Sequence, residues 1–244
     1  MLTAASGHPD TLRVFLDLGA SKDDQKDKDR ALVGAASAGK LEAVRALIAY
    51  GANPNVDFSK LWSTGSGLFS PGANVATGRE YGGSVLIDAA RSGNLEVVKE
   101  ILRYGPNLEA RDGQGKTALF AAGESTRSDQ DDERVECVRV LAKAGASVDA
   151  RDKDGNTLLH KTYLIEVQEE LLRLGADVNA RNHNGETPIF TNMNTKSIPL
   201  FLQHGADLTI RNNRGETVMD GNTARGPLWD EALRNAIAEM KHQQ

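Results

Sequence analysis

Four joints of equal length constrain this chain more than any other feature of its sequence. Gly105, Gly145, Gly175 and Gly205 are each followed 12 residues later by a threonine: Thr117, Thr157, Thr187 and Thr217. Each glycine follows a helical run such as Leu171-Leu172-Arg173-Leu174, where a left-handed residue closes a helix. Each threonine is placed to cap the next helix, and Thr187-Pro188 adds a first-turn proline to the cap. A stop signal and a start signal held at constant separation mark a repeat, so length here counts stacked units.

Turn dipeptides lie inside the joints: Asp154-Gly155 and Asn184-Gly185, with Gln114-Gly115 and Arg214-Gly215 in the same place. Asn-Gly and Asp-Gly favour a tight hairpin, so each joint is expected to project as a finger. On either side the apolar residues recur at helical spacing. Val98, Ile101 and Leu102, like Val44, Leu47 and Ile48, fall at i, i+3, i+4 and bury one stripe of a short helix. The first helix of each pair is small and tight, as in Leu86 to Ala90. A single unit of about 30 residues buries too little apolar surface to offset its ordering entropy, so stability must come from the faces between neighbours.

This order of Gly-Ala, finger, Asp-x-x-Gly-x-Thr-Pro-Leu-His-like turn, Ala-Ala and a second Leu-rich helix resembles the ankyrin repeat. Gly175 to Thr187 and Asp152 to His160 carry the turn, and Ala89 to Val98 carries the two-helix core. The resemblance extends over nearly the whole chain. It implies an all-α solenoid in which fingers and first helices line a concave face and second helices form the back. It also implies that His160, in the His position of the turn, orders adjoining turns.

About seven units are expected in a single domain over 1–244. A truncated first repeat covers 1–29, with Ala4, Leu12, Phe15 and Leu16 in core positions, and a second repeat with a long inserted finger covers 30–81. Repeats follow at 82–114, 115–154, 155–184 and 185–214, and a capping repeat at 215–244 closes the chain. The first finger, Lys22 to Asp29, is all polar and charged and lacks the turn glycine, so it reads as a solvated irregular segment. In the cap, Trp229, Ala232, Leu233, Ala236, Ile237 and Met240 form one apolar stripe, with Asp230, Glu231, Arg234 and Glu239 facing water.

The ruler set by the joints exposes three breaks. From Gly51 to the next helix start, Ser84, is 33 residues, an excess of 21. The inserted stretch carries Phe58, Leu61, Trp62, Leu68, Phe69 and Tyr81 among many glycines. Two readings of it stand: the aromatic residues fold back over neighbouring repeats, or they anchor a partner. A second insertion precedes the second helix of the fourth unit, where Asp129, Asp131, Asp132 and Glu133 lack calcium-loop spacing and suit a helix start. Third, the units after Thr157 and Thr187 have lost three residues between their helices. There Gln168 and Asn192-Met193 replace apolar residues, which predicts less regular packing.

The formal charge of -5 gives no electrostatic reason for binding a phosphate backbone, so nucleic acid is not an expected partner. No apolar run approaches the length of a membrane span, and Met1 to Gly7 lacks the pattern of a secretory leader. A single cysteine, Cys137, rules out an intramolecular disulfide; it reads as a small buried hydrophobe and suits the cytoplasm.

No motif supplies a nucleophile with its base, a phosphate loop or a metal-ligand set; no catalytic residue, metal or cofactor is expected. An enzymatic reading would need Asp88, His160, Glu124 or Asp154 to converge in a pocket. Asn179 resembles the asparagine that oxygen-dependent hydroxylases modify in some ankyrin proteins, and a hairpin-stabilising role competes with that reading.

The expected function is therefore a non-catalytic scaffold that is monomeric when free and binds a protein partner; an inhibitor or immunity-type regulator of an enzyme or toxin is the alternative. By the resemblance, contacts fall beside the finger turns and at the ends of first helices. Those positions are Arg91, Ser92, Gln114, Lys116, Lys153, Asp154, Asn156, His183, Asn184, Glu186, Asn213, Arg214 and Glu216. This surface is polar, so the apolar share of binding falls to Phe58, Trp62, Leu68, Phe69 and Tyr81.

Overall fold

The computed structural model describes residues 25–56, 83–124, 131–192, 194–220 and 226–242. Phe58, Leu61, Trp62, Leu68, Phe69 and Tyr81 of the inserted finger lie outside these, as do Ala4, Leu12, Phe15, Leu16, Asp129 and Met193. Among the described residues there are eleven helices and no strand. The chain divides into two compact units between Ser147 and Val148.

The first unit holds three helix pairs: α1 (Gln25–Ser37) with α2 (Leu41–Ala49), α3 (Val85–Ser92) with α4 (Leu95–Leu102), and α5 (Ala118–Gly123) with α6 (Asp131–Lys143). First helices pack in a row, α1 on α3 on α5, and second helices in another, α2 on α4 on α6. The core lies between the rows, where Leu32, Leu47, Leu86, Ile101, Leu119, Phe120 and Leu141 are buried. The acids expected at a helix start are found there, since Asp131 opens α6 and Asp132 and Glu133 are exposed in its first turn.

One expectation fails in this unit. Gln25 to Asp29, read as part of an irregular charged finger, are the opening turns of α1. Asp29 is buried and accepts hydrogen bonds from Gln25 Nε2 at 2.8 Å and from the backbone N–H of Asn53 at 2.7 Å. Charge alone did not mark this acid as a brace, because one of its partners lies 24 residues away.

The second unit stacks α7 (Leu158–Lys161) on α9 (Pro188–Thr191), and α8 (Ile165–Arg173) on α10 (Ser197–Gln203), with α11 (Pro227–His242) against α10. The cap helix buries Trp229, Leu233 and Ala236, while Ala232 and Ile237 are half-buried; Arg234 and Glu239 face water. Trp229 Nε1 donates to the carbonyl of Asn192 at 3.1 Å, so the closing helix is pinned by a polar bond as well as by its stripe.

The two shortened units have first helices of only four residues each. Residues that break the apolar pattern hold the missing turn. The carbonyl of Thr162 accepts from Gln168 Nε2 at 2.8 Å and from Asn192 Nδ2 at 3.0 Å, and Asn194 Nδ2 reaches the carbonyl of Tyr163 at 3.1 Å. Gln168 and Asn192 are both buried. Backbone groups that a longer helix would satisfy are thus met by side chains.

Candidate functional site

Four fingers are built on the same bracket. In the finger from Asp152, the carboxylate Oδ1 accepts the N–H groups of Asp154 at 2.9 Å and Asn156 at 2.8 Å. Asp112, Asn182 and Asn212 do the same for the residues two and four places on. The backbone closes between residues 152 and 156, with Gly155 N–H on the Asp152 carbonyl. The loop therefore has three residues and ends in a left-handed glycine, φ 77° at Gly155. This differs from the two-residue hairpin that Asp-Gly suggests, because the Asp152 side chain takes up the amides that such a hairpin would align otherwise.

Neighbouring fingers are tied edge to edge. His183 N–H donates to the Asp154 carbonyl at 2.9 Å, and Asn213 N–H to the Asn184 carbonyl at 2.8 Å. Arg181 binds its own Gly185 carbonyl at 3.2 Å and reaches the Arg211 carbonyl of the next finger at 2.9 Å. Gly155 could not carry a side chain here: a Cβ would stand 2.5 Å from His183 Cδ2.

His160 links the first helix to the following finger. Its Nδ1 lies 3.1 Å from the N–H of Thr157, an obligate donor, so Nδ1 is the acceptor and Nε2 carries the proton. Nε2 then donates to the Glu186 carbonyl at 3.1 Å. Burial pushes the imidazole down to about 4, outweighing the Glu186 carbonyl that favours its charged form, so the ring is neutral at physiological pH. Both nitrogens are committed, which leaves His160 in a bracing role, as the resemblance implies.

Above this brace lies a hollow of about 270 Å³, lined by Asp154, Asn156, His160, Lys161, Tyr163, Asn182, His183, Asn184, Glu186 and Thr191. Five of the contact residues expected from sequence, Asp154, Asn156, His183, Asn184 and Glu186, come together around it. Its floor is internally satisfied: Asn182 Nδ2 donates to Asn156 Oδ1 at 3.0 Å, and Thr191 Oγ1 to the His160 carbonyl at 3.1 Å. Its rim is exposed at Asp154, His183, Asn184 and Tyr163. Lys153 projects beside them, and Arg214 lies 2.8 Å from Glu216 and 3.9 Å from Glu186. Asn213 is partly committed, with Nδ2 on the His183 carbonyl at 2.8 Å.

In the first unit the corresponding residues are ion-paired. Arg91 bridges Asp88 at 3.1 Å and Asp112 at 2.8 Å. Asp88 is buried, which pushes its carboxyl up to about 7 against the opposing pull of Arg91. Lys116 pairs with Glu124 at 2.5 Å and stands 5.5 Å from the centre of the Phe120 ring. Gln114 is exposed on its finger. Asp154 and His160 meet at the hollow of the second unit, whereas Asp88 and Glu124 belong to the first. Among the described residues no group of three or more His, Cys, Asp or Glu is placed to hold a metal. Cys137 is buried with Sγ 3.7 Å from the Gly93 carbonyl, and burial raises its thiol to about 12.

Asn179 is explained by stacking, since Oδ1 accepts the Asp207 N–H at 2.8 Å and Nδ2 donates to the Gly205 carbonyl at 3.0 Å. Sequence reasoning missed Lys161, Tyr163, Asn182 and Thr191 at the hollow. Asn182 had a readable signal, the Asp or Asn three places before every finger glycine; Tyr163 had none, because the shortened turn that carries it has no counterpart in the longer repeats.

Residues 67–152 and 86–182 match the family described as ankyrin repeats (3 copies). Over 129 residues the chain is 32% identical to a transient receptor potential cation channel subfamily A member 1 homolog from Caenorhabditis elegans. That match covers 52% of this chain and 9% of the relative, so the chain spans less than a tenth of that protein's length. No helix among the described residues is long and apolar enough to cross a membrane. Ankyrin repeats are generally protein-interaction modules and generally non-catalytic. Finger brackets, paired helices and the family match agree: residues 67–182 of this chain carry ankyrin repeats.

Proposed function

We propose that the chain is a non-catalytic scaffold that holds one protein partner on the finger faces of its repeats, acting in the cytoplasm and monomeric until bound. The observation that carries this reading is the gathering of Asp154, Asn156, His183, Asn184 and Glu186 around one hollow, with the Asp154, His183 and Asn184 side chains exposed at its rim. Their backbones hold the fingers together through the Asp154 and Asn184 carbonyls, while the side chains are left for contact. Lys153, Asn213 and Arg214 extend the surface along the fingers of the second unit. Arg91, Gln114 and Lys116 offer the matching face of the first unit, and Phe58, Trp62, Leu68, Phe69 and Tyr81 supply apolar anchors.

Affinity purification from host cells, followed by mass spectrometry, tests the reading when run with the whole chain and with Asp154→Ala/His183→Ala/Asn184→Ala. A protein retained by the first and lost from the second is expected. Equal recovery of every protein by both would overturn the assignment of this face.

A further inference from the structure

In four fingers one residue stands directly after the turn glycine: Lys116, Asn156, Glu186 and Glu216. Three of these are held by close partners. Lys116 Nζ lies 2.5 Å from Glu124, Asn156 accepts from Asn182 at 3.0 Å, and Glu216 accepts from Arg214 Nε at 2.8 Å and Asn212 Nδ2 at 3.0 Å. Glu186 is different. Among the described residues its carboxylate, 17% exposed, is approached only by Asn182 Nδ2 at 3.4 Å and Arg214 Nη2 at 3.9 Å. An ionised carboxylate offers about four acceptor positions and draws charged N–H donors to roughly 2.7–2.9 Å, so acceptor capacity at Glu186 is left over.

The space above it is limited. At about 270 Å³ the hollow falls below the ~300–1,000 Å³ of pockets that enclose a drug-sized ligand, and it matches a single long side chain. One wall is Tyr163, 55% exposed, whose ring offers a flat face to an aliphatic stem or a guanidinium. Asp154 stands at the rim as a second anion. Lys161 lines the same hollow and disfavours a second cation, so the charge balance fits one basic side chain and not a basic run. Arg214 is no obstacle, because it is already held more closely by Glu216.

We propose that this hollow is a subsite for one arginine side chain of the partner protein. Its guanidinium donates to Glu186, Asp154 lies at the rim, and its stem rests on Tyr163. A planar fork of donors suits a carboxylate reached from one open side better than a compact ammonium does. The inference rests on the scaffold reading and adds the chemistry that the second unit selects.

The test uses the full 15N-labelled chain titrated with N-acetyl-arginine amide, and with N-acetyl-citrulline amide as its neutral isostere. Saturable amide shifts clustered over residues 183–191 are expected with the arginine compound alone. Glu186→Gln should weaken them at least tenfold, and Tyr163→Leu severalfold. Glu186→Gln leaves the main-chain carbonyl that receives His160, so the repeat stays folded and its spectrum reports this directly. Equal shifts from the citrulline compound, shifts that persist in Glu186→Gln, or none at 183–191 would overturn the proposal. If the subsite fails in this way while Asp154→Ala/His183→Ala/Asn184→Ala still releases a partner, only the arginine assignment falls. Loss of both removes the scaffold reading with it.

Discussion

His160 donates from Nε2 to the main-chain carbonyl of Glu186 at 3.1 Å, fastening the first helix of one repeat to the finger of the next. The ring must be neutral for Nδ1 to accept the Thr157 N–H at 3.1 Å, and burial has lowered the imidazole to about 4 from an ordinary value of 6.5. Between those values the unfolded chain takes up a proton that the folded chain refuses. Stability is therefore complete above about pH 6.5 and falls as pH drops toward 4, by up to about 3 kcal/mol from this residue. Urea midpoints measured from pH 7 to 4 should show the decline, and His160→Asn should flatten it while lowering stability at pH 7.

Asp88 predicts a slope of opposite sign in the first unit. Its carboxyl is raised to about 7 from 3.8, chiefly by burial, with Arg91 and the Ser37 hydroxyl opposing. The folded chain keeps the proton while the unfolded chain loses it, so the contribution is fully present below about pH 4 and is lost as pH rises to about 7. Hydrogen exchange resolved by residue should show amides of α3 and α5 losing protection over this range while those of α7 and α9 gain it. In Asp88→Asn the first trend should vanish.

Two left-handed glycines, Gly105 at a helix end and Gly155 in a finger, separate two costs of substitution. At Gly105, φ is 60° and nothing lies within 4 Å of a Cβ, so Gly105→Ala should cost about 1–2 kcal/mol from the left-handed backbone alone. At Gly155 the same backbone penalty is joined by His183, 2.5 Å from the added carbon. Gly155→Ala should therefore destabilise more than Gly105→Ala in chemical denaturation. Equal losses would show that the finger gives way around the methyl group.

Trp229 is the largest buried side chain of the cap helix among the described residues. Trp229→Ala should cost about 3–5 kcal/mol, the range for emptying a large aromatic site. Trp229→Phe keeps most of the packing and leaves the Asn192 carbonyl without its indole donor, a loss of about 1–3 kcal/mol. Denaturation midpoints order the three proteins.

What could be read from the sequence was what local geometry dictates. Gly51, Gly105, Gly145, Gly175 and Gly205 all have positive φ, and Ser84, Thr117, Thr157 and Thr187 all cap helices, because turns and caps are decided within a few residues. The stripe of Trp229, Leu233 and Ala236 was legible by the same logic of period. What stayed hidden depends on partners far along the chain. Asp29 reads as one more charge until Asn53 meets it, and Gln168 and Asn192 read as defects until both are found on the carbonyl of Thr162. At the hollow, the family resemblance pointed to Asp154, His183 and Glu186. It missed Lys161 and Tyr163, whose positions follow from a turn three residues shorter than the ruler.

On the scaffold reading, the exposed side chains of Asp154, His183 and Asn184 bind a protein partner and do nothing for the fold. Calorimetric titration of a captured partner into the whole chain and into Asp154→Ala/His183→Ala/Asn184→Ala tests this most directly. The account predicts affinity at least tenfold weaker in the triple variant with an unchanged unfolding midpoint. Undiminished affinity in a variant lacking all three side chains would contradict it.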